Sequence, residues 1–158
     1  MTRSVLLDSA LLAPALDEAR QLPRRRKNLN LHTSSEAPAQ RFFNAMEPNS
    51  YVRPHRHLDA GKEETLLVVR GSVGVFEFDD DGAVIRAARL SAAGDAFGLH
   101  VPLGVWHSLV ALEPGTVFLE VKGGPYVPFS PGDFAPWAPA EGDPAAAAFI
   151  AALRSRLD

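Results

Sequence analysis

Three histidines and a glutamate have the types and spacing of a metal site. His55 and His57 stand two positions apart in a strand-like segment, so both imidazoles should project from one face of a strand. Glu64 opens the next apolar segment, and His107 follows a turn sequence that begins at Pro102. Three imidazoles and one carboxylate, without a thiolate, suit iron, manganese, nickel, cobalt or zinc. We therefore expect one divalent metal ion, held by these four side chains.

Glu120, Lys122 and His100 are the predicted catalytic residues beside this metal. Glu120 and Lys122 alternate with apolar residues along one segment and so share a strand face. A carboxylate or an amine with a shifted pKa can move protons there, although a solvated strand face produces the same alternation. His100 could face the cavity as an acid or base, or it could make a structural hydrogen bond.

Tyr51 and Arg53 are the predicted substrate-binding residues. Their positions have the same parity as His55 and His57, so on a regular strand all four side chains would line one pocket. The guanidinium of Arg53 would hold an anionic group of the substrate.

The elements that must position these residues are short strands. Between residues 40 and 123, five- to eight-residue apolar segments alternate with turn sequences rich in Pro, Gly, Asn and Asp. Eight short strands in series predict an all-β jelly roll. The predicted strands are residues 40–46, 51–57, 64–70, 73–79, 84–90, 96–101, 105–112 and 116–122.

Short helices are expected at both ends of the chain. Residues 5–21 have apolar residues at helical spacing, with a break or a start near Pro14. Asp143 has the position of an N-cap and Pro144 that of a first helical residue, which predicts a helix over residues 145–157. Residues 125–139 are rich in Pro and aromatic residues and indicate an extended segment pinned to the barrel.

The chain is expected to form a single domain in three parts. These are an N-terminal helix and basic loop at residues 1–35, a barrel at 36–124, and an extension with a C-terminal helix at 125–158. The basic loop contains Arg24, Arg25, Arg26 and Lys27 in sequence. It is either a solvated loop or a clamp for phosphate or carboxylate on a substrate or a neighbouring subunit.

Composition excludes several classes of function. The 158 residues include no cysteine, which removes disulfides, thiolate nucleophiles, Cys-ligated zinc and iron–sulfur clusters. The net charge of −3 argues against nucleic-acid binding and favours a small-molecule partner. Asp8 and Asp17 interrupt the apolar N-terminal stretch, and the longest uncharged run, residues 96–112, contains Gly, Pro and His. We therefore expect no membrane span, no cleaved signal, and a cytoplasmic protein.

The histidine motifs resemble those of the cupin superfamily. The first cupin motif is matched by His55 and His57, then Glu64, with Gly71 at the six-residue step that follows the glutamate. Six residues separate His57 from Glu64, where the motif has three or four, so Glu63 fits this gap slightly better. Glu64 is preferred because it keeps the step to Gly71. The leading glycine of the motif is replaced near residue 49.

The second cupin motif is matched by Pro102, Gly104 and His107. Its final asparagine is Ala111 in this chain, and its opening glycine is displaced to Gly94. The resemblance implies a cupin double-stranded β-helix with a metal in the barrel.

Four longer segments look like the WbuC family of cupin-fold metalloproteins. These segments are residues 40–45, 51–57, 106–115 and 119–126. This resemblance implies a link to bacterial surface polysaccharide (O-antigen) biosynthesis, with a sugar or an anionic sugar derivative as the substrate. Cupins commonly pair through β-strands, so the resemblance also implies a homodimer.

Three functions fit these residues. Four protein ligands on an octahedral ion leave two positions for substrate oxygens, which suits a metal-dependent sugar isomerase or epimerase. An iron-dependent oxygenase would use the same open positions for dioxygen and substrate. A non-catalytic cupin would bind a small ligand at the barrel mouth and keep the metal as a structural element.

Overall fold

The computed structural model describes residues 3–157, and its regular structure is mainly β. A short 3-10 turn at Pro131–Asp133 lies between the last strand and the last helix. In chain order the helices and strands are α1 (Ser9–Gln21), β1 (Arg26–Asn30), β2 (Ala39–Met46), β3 (Glu64–Arg70), β4 (Ser72–Phe78), β5 (Val84–Ser91), β6 (Gly98–Val101), β7 (Trp106–Ala111), β8 (Thr116–Gly123) and α2 (Ala145–Arg154).

The strands form two antiparallel sheets that pack face to face. The first sheet has the order β1-β2-β8-β3-β6, and the second has the order β5-β4-β7. Leu66 and Phe118 from the first sheet meet Val75 and Leu109 from the second in one buried cluster. Alternation along each strand sends one face to this interior and the other outward. The all-β jelly roll predicted from the turn spacing is confirmed.

Two segments differ from the predicted secondary structure. Residues 51–57 are extended but pair only through isolated bridges of His55 with His107 and with Phe134. The expected basic loop instead contains β1, which pairs along β2 with Arg26 opposite Met46 and Asn30 opposite Phe42. Pairing with a long neighbouring strand overrides the weak strand propensity of β1, which has two asparagines in five residues.

Helix α1 covers the outer face of the first sheet. It begins at Ser9, after Asp8, whose side chain accepts a hydrogen bond from the Leu11 N–H. This cap explains why the helix starts later than the predicted residue 5. Pro14 lies inside the helix rather than breaking it. The buried side of α1 packs on β2 and β8 through Leu16, Phe43 and Val117, among others.

The C-terminal part of the chain packs on the second sheet. Asp143 Oδ1 accepts a hydrogen bond from the Ala145 N–H at 2.8 Å, as expected for the residue that caps α2. Ile150 and Leu153 of α2 pack with Phe76 of β4 in a second buried cluster. The helix ends at Arg154, three residues before the predicted end. No helix in residues 3–157 has the length and apolar character needed to cross a membrane.

Tyr51 ties the extended segment to the C-terminal part of the chain. Its hydroxyl donates a hydrogen bond to the Pro139 carbonyl at 2.8 Å, and its ring packs in the cluster beneath α2. Burial raises the pKa of Tyr51 from 10.0 to about 12. The folded state therefore favours the neutral phenol. The contribution of Tyr51 to stability is lost when the pH is high enough to ionise this tyrosine in the unfolded state.

We predict that Tyr51→Phe lowers the free energy of unfolding by about 1 kcal/mol at neutral pH, because the Pro139 carbonyl loses its donor. The wild type should lose the Tyr51 contribution as pH rises from 10 towards about 12, since the unfolded tyrosine ionises first. Denaturant unfolding at neutral pH and near pH 11 measures both effects. Equal stabilities of Tyr51→Phe and the wild type at neutral pH, with Tyr126→Phe as the exposed control, would contradict the assignment.

Candidate metal centre

Four side chains from three parts of the fold meet inside the barrel. His55 and His57 come from the extended segment before β3, Glu64 is the first residue of β3, and His107 is the second residue of β7. Backbone hydrogen bonds in both directions between His55 and His107, at 3.0 and 2.9 Å, fix the segment against β7. One ligand atom from each of the four residues lies within 4.8 Å of the other three. The structure thus brings together all four predicted metal ligands.

The carboxylate of Glu64 is the centre of this cluster. Its Oε2 lies 3.1 Å from His57 Nε2, and its Oε1 lies 2.9 Å from His107 Nε2. Glu64 is only 4% exposed, whereas Glu63 points to solvent. The alternation of side chains along β3 therefore selects Glu64 over Glu63 for the interior.

Backbone carbonyls orient two of the imidazoles. His55 Nδ1 donates to the Arg53 carbonyl at 2.9 Å, and His107 Nδ1 donates to the Val105 carbonyl at 2.9 Å. Because a carbonyl can only accept, each Nδ1 carries a proton, which leaves Nε2 as the atom with a lone pair in the neutral ring. In both residues Nε2 is therefore the nitrogen available to a metal. The hydrogen bond from Nδ1 to the backbone carbonyl fixes the orientation of the ring.

The protonation of the cluster follows from its burial. Burial and the neighbouring His107 lower the pKa of His55 to about 3, so this imidazole is neutral. Burial alone would raise the pKa of Glu64, but hydrogen bonds from His107 and His57 hold it well below its usual range. Burial would likewise lower the pKa of His107, and its hydrogen bond with Glu64 raises it instead.

This donor set fits a divalent cation. A neutral His107 would place its Nε2 lone pair against a carboxylate oxygen, which is also an acceptor. That contact is favourable only when a positive charge, either a proton or a metal ion, lies between the two atoms. His55, His57 and His107 with Glu64 would supply three nitrogens and one hard oxygen, the set expected for iron, manganese, nickel, cobalt or zinc.

Glu120 and Lys122 lie next to the cluster, on β8. Lys122 Nζ donates to Glu120 Oε1 at 2.7 Å and lies 3.5 Å from Glu64 Oε2. Asn44 Nδ2 donates to the other Glu120 oxygen at 2.9 Å. The strand register explains this arrangement, because Lys122 lies directly opposite Glu64 of β3, and Glu120 is two residues away on the same face.

Burial and neighbouring charges shift the pKa values of both Glu120 and Lys122. Burial and the like charge of Glu64 raise the pKa of Glu120 to about 7. Burial alone would lower the pKa of Lys122, but Glu120 and Glu64 hold it above its ordinary value. A carboxyl group with a pKa near neutrality can both accept and donate a proton under physiological conditions.

A large open cavity gives access to these groups. Its volume is about 1050 Å³, and its wall includes His55, Glu64, Glu120 and Lys122. Phe129, in the extended segment after β8, forms part of the wall and stacks on His57 with ring centroids 5.3 Å apart. The Pro- and aromatic-rich segment therefore contributes directly to the site.

His100 does not face this cavity. It lies on β6 opposite Thr65, and its Nδ1 is 3.0 Å from Thr65 Oγ1 on the exposed side of the sheet. The neighbouring residues Leu99 and Val101 take the inward positions of this short strand. The prediction of His100 as a catalytic residue is corrected by this register.

Tyr51 and Arg53 are also not among the residues of the cavity wall. The Arg53 guanidinium donates to the Ala135 carbonyl at 2.9 Å and lies over the Phe134 ring, while Tyr51 is buried beneath α2. Residues 51–57 lack the regular alternation of a paired strand, so the parity that linked these residues to His55 did not apply. The structure does not bring them to the expected substrate pocket.

Several wall residues were missed by the sequence prediction. Asn44 holds the Glu120 carboxylate, and Phe129 covers the histidines. Asn28 and Asn30 line the cavity from β1. The Asn-x-Asn alternation was visible in the sequence, but the basic residues before it led to the prediction of a loop.

Comparison with known proteins supports the fold. The chain matches the family described as "Domain of unknown function (DUF6016)" over residues 7–90. Among solved structures it is similar to KdgF from Halomonas sp., with a TM-score of 0.53, 19% identity, and coverage of 67% of this chain and 84% of that one. It is also similar to a conserved protein of unknown function from Streptococcus pyogenes, with a TM-score of 0.52, 12% identity, and coverage of 80% and 93%.

A search of curated proteins found no match. At these identities the structural similarities show the fold, which is the cupin jelly roll that the histidine motifs predicted. The cupin fold and the His/Glu cluster together support a metal-binding cupin.

We predict that purified wild-type protein contains close to one divalent metal ion per chain and that His57→Ala loses it on dialysis against a chelator. Removal of one imidazole from a four-ligand site should weaken metal binding at least about tenfold. Elemental analysis of both proteins measures the difference. His100→Ala is the matched control, since His100 lies on the other face of the sheet, and it should retain the metal. Equal metal contents in His57→Ala and the wild type would contradict the site.

Proposed function

Because the chain belongs to the DUF6016 family, a domain of unknown function, we propose a function from the chemistry of its own site: a metal-dependent isomerase acting on a hydroxy-carbonyl substrate such as a sugar. The observation that carries this proposal is the contact between Glu120 and Lys122, at 2.7 Å, beside Glu64 and within the cavity. A buried acid–base pair next to a metal site is a device for moving protons.

The two groups would divide the proton transfers between carbon and oxygen. The Glu120 carboxylate would remove a proton from the carbon beside the carbonyl and return it to the adjacent carbon. The Lys122 ammonium would donate a proton to the carbonyl oxygen as negative charge develops there, and the resulting amine would accept the proton of the neighbouring hydroxyl. A divalent ion bound by His55, His57, Glu64 and His107 would polarise the substrate carbonyl.

This reaction balances without a co-reactant. Interconversion of an aldose and a ketose moves one proton between neighbouring carbons and one between neighbouring oxygens. Glu120 and Lys122 approach the substrate from one side of the cavity, because their charged atoms are in direct contact. Transfer along one face of the substrate suits an isomerase better than an epimerase, which must return the proton to the opposite face.

Asn44 would control the position of the base. Its amide donates to Glu120 Oε2, while Lys122 occupies Oε1. The carboxylate is therefore held in one orientation before the substrate enters, which lowers the cost of reaching the reactive geometry. A bound divalent ion would offset the charge of Glu64 and lower the pKa of Glu120, which favours the basic carboxylate form.

The biological setting that we propose comes from the sequence resemblance. The segments that look like the WbuC family support a sugar or anionic sugar derivative from bacterial surface polysaccharide (O-antigen) metabolism as the substrate. The resemblance to cupins, which commonly pair through β-strands, supports a homodimer, and the cysteine-free composition suits a cytoplasmic location. Iron, manganese, nickel, cobalt and zinc remain the candidate metals.

We predict that Glu120→Gln abolishes proton transfer while the protein retains its metal. The assay is incorporation of solvent deuterium, followed by NMR, into glucose, mannose, fructose, xylose, rhamnose and their phosphorylated forms incubated with metal-loaded protein. Loss of the base should reduce the rate at least about 100-fold. Glu63→Gln is the matched control, because Glu63 is exposed beside the same site, and its rate should equal that of the wild type.

The outcomes separate the three candidate functions. Undiminished exchange in Glu120→Gln would contradict the role of this carboxylate. Oxygen consumption without deuterium exchange would replace the isomerase by an oxygenase. Binding of a sugar without either reaction would identify a ligand-binding cupin.

A further inference from the structure

Strand β1 presents Asn28 and Asn30 to the barrel interior, and its apolar residue, Leu29, outward. Leu29 packs with Phe43 of β2 beneath α1, in the cluster on the outer face of the sheet. Asn28 and Asn30 therefore face inward, where both line the cavity. An interior filled only by core side chains would favour apolar residues at these two positions. Helix α1 allows the reversal because it supplies an apolar partner for the outer side.

The inward amides are free to contact a ligand. Within residues 3–157, the side chains of Asn28 and Asn30 make no hydrogen bond to another protein group, and both residues are exposed to the open cavity. Asn28 lies directly opposite Asn44, and Asn30 lies opposite Phe42. An amide offers both a donor and an acceptor, which is the pairing that a hydroxyl group needs.

The cations at this end of the cavity are already paired within the chain. Arg24 and Arg26 share the Glu141 carboxylate, with contacts of 2.6 and 3.1 Å, and Lys27 Nζ contacts Glu18 at 2.6 Å. Arg26 also donates to the Tyr51 carbonyl at 2.7 Å. The side chains available to a ligand on β1 are thus neutral amides, which favours a hydroxylated ligand over a phosphate clamp.

The amides lie far from the metal ligands. Neighbouring strands are about 4.8 Å apart, and the order β3-β8-β2-β1 puts three such steps, roughly 14 Å, between Glu64 and β1. Glu120 lies nearer to β1, because its partner Asn44 is directly opposite Asn28. A single sugar ring bound at the metal ligands, however, does not extend over three strand spacings. The cavity of about 1050 Å³ is also slightly larger than the range of roughly 300–1,000 Å³ found for small-molecule sites.

We propose that the cavity has a second sugar-binding subsite, formed by Asn28 and Asn30 on β1, and that the ligand is a saccharide of at least two linked rings. The first ring lies at the metal ligands, and the amides of β1 bind hydroxyls of the second ring. Tyr126, which is 58% exposed, and Phe129 supply apolar ring faces along the same cavity. This inference rests on the proposed function for the sugar chemistry of the first ring.

The test compares monosaccharides with the corresponding disaccharides. Metal-loaded protein is titrated by calorimetry with glucose, maltose and cellobiose, with galactose and lactose, with N-acetylglucosamine and N,N′-diacetylchitobiose, and with mannose and mannobiose. At least one disaccharide should bind about tenfold more tightly than its monosaccharide, as expected for two or more additional hydrogen bonds.

The double variant Asn28→Val/Asn30→Val should abolish this preference and leave the affinity for the monosaccharide unchanged. Valine has a higher strand propensity than asparagine, so the substitutions should preserve β1. Metal content and the thermal midpoint check that the variant is folded. Asn49→Val is the matched control, because Asn49 is an exposed amide outside the cavity wall.

Equal affinities for mono- and disaccharides across the panel, or a preference that survives in the double variant, would overturn the subsite. The proposed function is tested by a different measurement, which is deuterium exchange. Deuterium exchange with equal mono- and disaccharide affinities would overturn the subsite alone. A disaccharide preference that depends on Asn28 and Asn30, without deuterium exchange, would overturn the isomerase and leave the subsite.

Discussion

The burial of the Glu64 carboxylate is the constraint on which the rest of the site depends. A charge in an apolar interior is costly unless opposite charges and hydrogen-bond donors surround it. His57, His107 and Lys122 provide that environment, at 3.1, 2.9 and 3.5 Å from its oxygens. These partners come from the extended segment, β7 and β8. The balance of charge around one carboxylate thus links three separate parts of the chain.

The same carboxylate sets the properties of its neighbours. Burial and, after it, the charge of Glu64 raise the pKa of Glu120, and Glu120 together with Glu64 raises the pKa of Lys122. The antiparallel register of β3 and β8 places this pair beside Glu64, because Lys122 lies directly opposite it. A metal ion at the histidines would share this carboxylate, so binding of the ion and protonation of Glu120 are coupled.

The sequence was sufficient to predict the parts of the fold and site that depend on local pattern. Turn residues between apolar segments located seven of the eight strands, and the spacing of His55, His57 and His107 identified the histidines of the cluster. Glu64 was preferred over Glu63 on motif spacing, and strand alternation supplies the physical reason. Glu120 and Lys122 were placed together because they share one strand face, which needs no long-range information.

Other predictions failed where tertiary pairing decides the outcome. Tyr51 and Arg53 were placed by strand parity, but their segment is held by bridges and by contacts with the C-terminal extension, so parity carried no information. His100 required a choice between the two faces of β6, which only the register with β3 resolves. Strand β1 combines charged and amide residues and becomes a strand because β2 and α1 provide partners distant in the sequence. The inward position of Asn28 and Asn30 therefore could not be predicted without the contact between β1 and α1.

Three imidazoles and the Glu64 carboxylate are expected to hold one metal ion inside the barrel. Anomalous diffraction from crystals of the metal-loaded protein, measured at the absorption edge of the bound element, tests it most directly. We expect one strong anomalous peak at about 2.0–2.2 Å from Nε2 of His55 and His107, a nitrogen of His57 and an oxygen of Glu64. An anomalous peak elsewhere on the protein, with none among these four side chains, would contradict it.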